Sequence, residues 1–144
     1  MTNKSLSFDS SSRRFWEATA VVWSAVVLSL AITPIRNVEL ITAPISDKVL
    51  HAVAFLVGSI VWAGAFDDSP GHVRSITLAG AVCLGMGGLI ELLQTQTSTR
   101  AAEAGDLVAD AAGIVIGGIA WFLITKRRDK AHASQNSMET AVGL

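Results

Sequence analysis

The chain has one cysteine, Cys83, and it lies inside an apolar run. A lone cysteine excludes a disulfide framework or a cysteine metal centre within one chain. In that setting it reads as a small buried core residue. Tyr is absent and aromatics are few. There is no basic excess: 11 Lys and Arg stand against 12 Asp and Glu, for a formal net charge of −1. That balance argues against a nucleic-acid partner. The chain also lacks His-x-x-x-His and Gly-x-Ser-x-Gly, which removes two common catalytic frameworks. Gly85-Met86-Gly87 has neither a third glycine in register nor a strand before it, so it is not a dinucleotide loop.

What the chain does have is long uncharged runs. About half of its residues are apolar (51%), and they are grouped, not spread at amphipathic spacing. A helix needs about 20 residues to cross the hydrocarbon core. The runs predict spans at about 15–33, 48–66, 73–93 and 107–125, within one domain over 15–125. The predicted fold is therefore an all-α membrane protein, a bundle of four transmembrane helices. Residues 1–14 read as a disordered tail, and 126–144 as a basic segment followed by a second disordered tail. Arg13-Arg14 before the first run could suggest twin-arginine export. That run is longer than the about 7–15 residues of a signal h-region, and no clear small-x-small cleavage site follows it. An uncleaved first helix is the expectation, with Glu17 at its start.

Pro34 ends the first run, and 34–47 is read as a loop. Asp67-Asp68-Ser69-Pro70-Gly71 is a strong turn signal. The third run carries Gly80, Gly85, Gly87 and Gly88, which suit close helix contact. The fourth carries Gly113 and Gly117 four apart, a small-xxx-small packing signal. Basic residues precede the first run (Arg13, Arg14) and follow the fourth (Lys126, Arg127, Arg128, Lys130). The positive-inside rule places both ends in the cytoplasm. Four spans agree with this, and the loops at 34–47 and 94–106 then face outward.

This topology gathers polar residues at the outer end. Asp47, Lys48 and His51 open the second helix, and Glu91 and Gln94 close the third. Arg100 lies in the outer loop, and Asp106 and Asp110 open the fourth helix. Asp47 and His51 are four apart, as are Asp106 and Asp110, while Glu91 and Gln94 are three apart, so each pair shares a helix face. The expectation is one outward-facing polar pocket. Plainer roles stand beside it: Ser46-Asp47 and Gly105-Asp106 as helix caps, Lys48 reaching to the interface, His51 as a structural histidine, and Arg100 paired with Glu91 or Asp110. Glu103 reads as a solvated loop charge.

The ordered set Asp47-Lys48-x-x-His51, Glu91-x-x-Gln94, Arg100, Asp106 and Gly113 to Gly117 resembles the VanZ-like family, over roughly residues 34–122. The chain departs from that family at Asp110, where an Asn is usual, and in the Thr-rich segment between Gln94 and Arg100. The resemblance implies a small multi-pass protein of the bacterial cytoplasmic membrane. The family is named for a member associated with teicoplanin resistance.

Four functions are compatible with the residues. The first is binding of an anionic lipid head group or a lipid-linked cell-wall precursor, for which Lys48, His51 and Arg100 supply donors. The second is a structural helper of another membrane protein. The third is a lipid-modifying enzyme using His51, Glu91, Asp106 and Asp110 for acid–base or metal chemistry. The fourth is a proton-coupled carrier. Binding without catalysis is the expectation, with membrane lipids as partners, no cofactor or metal, and an open question of homo-oligomer or protein partner.

Overall fold

The computed structural model describes residues 10–33, 46–67, 72–96 and 104–142. They form four helices and, among the described residues, no strand: α1 (Ser10–Ile32), α2 (Asp47–Ala65), α3 (His72–Thr95) and α4 (Ala104–Val142). Each is long and apolar enough to cross a membrane. The predicted four-helix, all-α architecture is the observed one.

The ends differ from the expectation. The sequence reads 10–14 as part of a tail, whereas α1 begins at Ser10. Its first turns carry an i,i+4 pair in which Arg13 Nε donates to Glu17 Oε1 at 2.9 Å, a modest helix-favouring contact. The larger correction is at α4. Residues 131–142, expected to be disordered, continue the helix to Val142. No glycine or proline interrupts the chain between Gly118 and Gly143, so nothing there breaks the hydrogen-bond ladder. The extension is exposed throughout its described positions from Lys126 onward.

α2 is the central helix and packs on each of the other three. Its glycines make notches for α1: the Trp23 ring covers Gly58, and the Trp16 ring covers Gly64. Trp23 Nε1 also donates to the Ala54 carbonyl at 3.1 Å. Early α1 residues therefore meet late α2 residues, so the two helices run antiparallel. Trp16 meets Trp121 of α4 edge-on, with ring centroids 5.3 Å apart.

α2 and α4 run parallel in close contact. A side chain on Gly113 would strike the Ala52 carbonyl, and one on Gly117 would strike the Leu56 carbonyl and Ser59 Oγ. The Gly113-xxx-Gly117 signal thus marks a seam where two backbones touch. In lipid, helices gain little from hydrophobic burial, so such close approach carries the association. α3 runs antiparallel to α4: Gly87 faces Asp110, Gly80 faces Ile114 and Ile76 faces Gly118. Gly85 and Gly88 have no such neighbours within 4 Å, so only part of the α3 glycine set makes contacts. Phe55, Cys83, Ile90 and Ile114 form the core between these helices. Val73, Val108, Val115 and Ile119 point outward, as a lipid-facing surface requires and water would penalise.

Candidate functional site

The parallel α2–α4 pair brings two first turns together. Lys48 Nζ donates to Asp106 Oδ1 at 3.4 Å. One turn deeper, His51 Nδ1 lies 2.8 Å from Asp110 Oδ1. A carboxylate oxygen accepts, so Nδ1 is the donor in this pair. The other ring nitrogen, Nε2, faces Asp106 Oδ2 at 3.9 Å, beyond hydrogen-bond reach. Asp106 thus divides its oxygens, one toward Lys48 and one toward His51.

Burial grades down through the cluster. Asp47 is exposed, and Lys48 keeps 48% of its side chain exposed. His51 keeps 10%, Asp106 6% and Asp110 1%. The arrangement is a rim of charge over a buried acid–histidine pair. Asp110 Oδ2 is buried and has no hydrogen-bond partner among the described residues. It lies directly beside Gly87, where a Cβ would stand 2.7 Å away. Only a residue without a side chain lets α3 pass so close to this carboxylate.

Gln94 and Glu91 lie one to two turns beyond Gly87, at the same end of α3. Gln94 is fully buried, and Glu91 is half-buried with Oε1 out of solvent reach. Asp47, Lys48, His51, Asp106 and Asp110 are thus brought together, with Glu91 and Gln94 on the adjoining helix end. Arg100 and Glu103 lie outside the described residues. The capping reading of Ser46 is not met: its backbone has an extended conformation suited to an N-cap, but its side chain makes no capping bond. Its carbonyl instead accepts from Val49 and Leu50.

A second polar cluster sits at the opposite end, and sequence reasoning did not find it. His72, the first residue of α3, places Nδ1 3.2 Å from Asp67 Oδ1 and Nε2 3.0 Å from Asp129 Oδ2. Asp67 is buried just past α2, whereas Asp129 is exposed on the α4 extension. The three residues tie the end of α2 and the start of α3 to the part of α4 just past its apolar span. Asp67 opens the turn signal and His72 follows it, and the Pro, Gly and acids of that signal read as a turn, not as a site. Asp129 was hidden in a basic run.

No family model, curated protein or solved structure gives a significant match to this chain.

Proposed function

We propose that this is a VanZ-like protein of the bacterial cytoplasmic membrane whose polar pocket faces outward and holds a lipid head group. The head group belongs to an anionic lipid or a lipid-linked cell-wall precursor. The observation that supports this is the graded cluster at one end of an otherwise apolar bundle. A half-exposed Lys48 at the rim stands over a buried His51–Asp110 pair. Buried ionisable groups in a membrane protein are costly, and such sites commonly serve a ligand or transport function. Apolar α2 and α4 surfaces beside the rim, including Val49 and Val108, suit an acyl or isoprenoid chain. The basic residues of α1 and α4 support cytoplasmic termini and an outward pocket. Through the family resemblance, the reading extends to modulation of glycopeptide susceptibility.

The test is native mass spectrometry of the protein in mild detergent, beside an Arg100→Ala, His51→Ala double variant. A specific anionic or isoprenoid lipid, retained by the wild type and lost in the variant, is expected. Equal bulk lipid on both forms would sink the head-group reading.

A second reading has its own support. Lys48–Asp106 and His51–Asp110 both bridge α2 and α4, beside the glycine seam. The cluster would then be a staple in a helper of another membrane protein. Under that reading the double variant loses stability but no ligand.

A further inference from the structure

We propose that Asp47, His51 and Asp106 hold one divalent transition-metal cation at the rim of the pocket. One candidate ligand atom from each of the three residues lies within 4.8 Å of the others. The set mixes an imidazole with carboxylates and is drawn from two helices.

The histidine supplies the independent argument. Its side chain is nine-tenths buried, with 10% exposed. Nδ1 is committed to Asp110, so whenever the ring is neutral its lone pair lies on Nε2. That nitrogen makes no hydrogen bond among the described residues. It faces Asp106 Oδ2 across 3.9 Å, an ion-pair distance when the ring is protonated and too far for a hydrogen bond. Two ligands on Zn²⁺, each at about 2.0–2.2 Å, stand at most roughly 4.2 Å apart. Around a tetrahedral ion the same ligands stand roughly 3.4 Å apart, so Nε2 and Oδ2 at 3.9 Å would draw in by about half an ångström to share one.

Asp110 fits the same reading. A metal-ligating histidine commonly donates its other N–H to a buried carboxylate, which fixes the tautomer and ring orientation. Asp110 does this from a fully buried position. Charge points the same way. Among the described residues, three carboxylates, Asp47, Asp106 and Asp110, surround one lysine and one histidine, and Asp110 Oδ2 is buried with no hydrogen-bond partner there. A cation at the rim offsets the part of that charge that Lys48 and the two helix N-termini leave. Lys48 shares Asp106 through Oδ1 and leaves Oδ2 to the ion. A nitrogen-plus-carboxylate set suits Zn²⁺ or Mn²⁺ better than Ca²⁺ or Mg²⁺.

Three protein ligands leave a coordination position open, the pattern of reactive or ligand-binding sites. At the rim that position would take a phosphate oxygen, giving an acidic pocket a way to hold an anionic head group. This extension rests on the head-group reading, whereas the cation site does not.

The full chain, purified in mild detergent and stripped with chelator, is titrated with Zn²⁺ alone by calorimetry. One ion per chain is expected, with binding lost in His51→Gln and weakened at least about tenfold in Asp47→Asn. Asp110→Asn, which changes only the orienting partner, should weaken binding about 10–100-fold. Asp47 is exposed at the first turn, so its variant retains the fold even if the histidine variant does not, as helical circular dichroism checks. No saturable binding by the wild type overturns the site. Unchanged affinity in the folded Asp47→Asn variant overturns it as well, because the ion then sits elsewhere. Native mass spectrometry with a phosphate-bearing lipid, with and without Zn²⁺, separates the two ideas. Lipid retained only with the ion supports the extension. An ion bound with no effect on lipid keeps the cation site and removes the head-group role.

Discussion

Gly87 leaves only enough room for the Asp110 carboxylate: a Cβ on the glycine would stand 2.7 Å from Oδ2. Asp110 is a short side chain held by His51 from α2, so it cannot swing aside cheaply. Gly87→Ala is expected to displace α3 or break the His51 contact. The expected loss is about 1–3 kcal/mol, the usual range for overpacking a tight site. Thermal unfolding in detergent measures it. Gly88→Ala is the control. Nothing lies near its Cβ, so helix propensity favours the alanine by up to about 1 kcal/mol. Equal destabilisation by both changes would refute this account of Gly87.

The α2–α4 seam makes a different demand. At Gly113 the obstacle is the Ala52 carbonyl and the Leu56 backbone nitrogen, not a movable side chain. Gly113→Ala must therefore push two helices apart. A loss of about 3 kcal/mol is expected, at the upper end of overpacking costs. His51–Asp110 lies one turn away and should loosen with it. Unfolding and Zn²⁺ titration of the same variant check both effects.

Asp129 anchors the start of the α4 extension through His72. Its carboxylate is mostly exposed, and an exposed pair contributes at most about 1 kcal/mol. Asp129→Ala should therefore leave global stability nearly unchanged. It should speed amide exchange locally, at residues 126–130, where the link to α3 is lost. Hydrogen exchange read by mass spectrometry tests this, and faster exchange across the core of α2 would contradict it.

Orientation has its own check. Cys83 is buried, so single cysteines can be introduced elsewhere without a competing label. Ser46→Cys, at the pocket end, should react with an impermeant maleimide added to intact cells. Ser137→Cys, exposed on the α4 extension, should react only after permeabilisation. The reverse pattern would invert the pocket.

Metal affinity should fall on acidification, because a histidine binds a metal only through a deprotonated ring nitrogen and protons compete for Nε2. Zn²⁺ titrations across mildly acidic to neutral pH are expected to show progressively tighter binding as pH rises. A flat profile would argue against His51 as a ligand.

Much of this architecture was legible in the sequence, for physical reasons that differ by element. Uncharged runs of membrane length leave few alternatives to spanning helices, so all four elements were readable. Four-residue spacing placed Asp47 with His51, and Asp106 with Asp110, and the shared helix starts brought both pairs together. Which atom meets which was not readable. Lys48 could have paired with Asp47 or Asp106, and the choice depends on the rotation of α2 against α4. The α4 extension was missed because its residues are polar. Polarity says that a segment avoids a core, not that it avoids helix. The His72 cluster was missed because its partners lie 5 and 57 residues away, and only the folded bundle brings Asp129 back to α3.

The parallel run of α2 and α4 has an electrostatic consequence. Both helices start at the pocket end, so two macrodipoles present their positive termini there, each equivalent to roughly half an elementary charge. Asp47 and Asp106 occupy those first turns. The backbone itself thus favours negative side chains at this end of the bundle. A charge reversal at either position would oppose two helix ends at once, so Asp106→Lys should disturb the bundle more than Asp106→Asn.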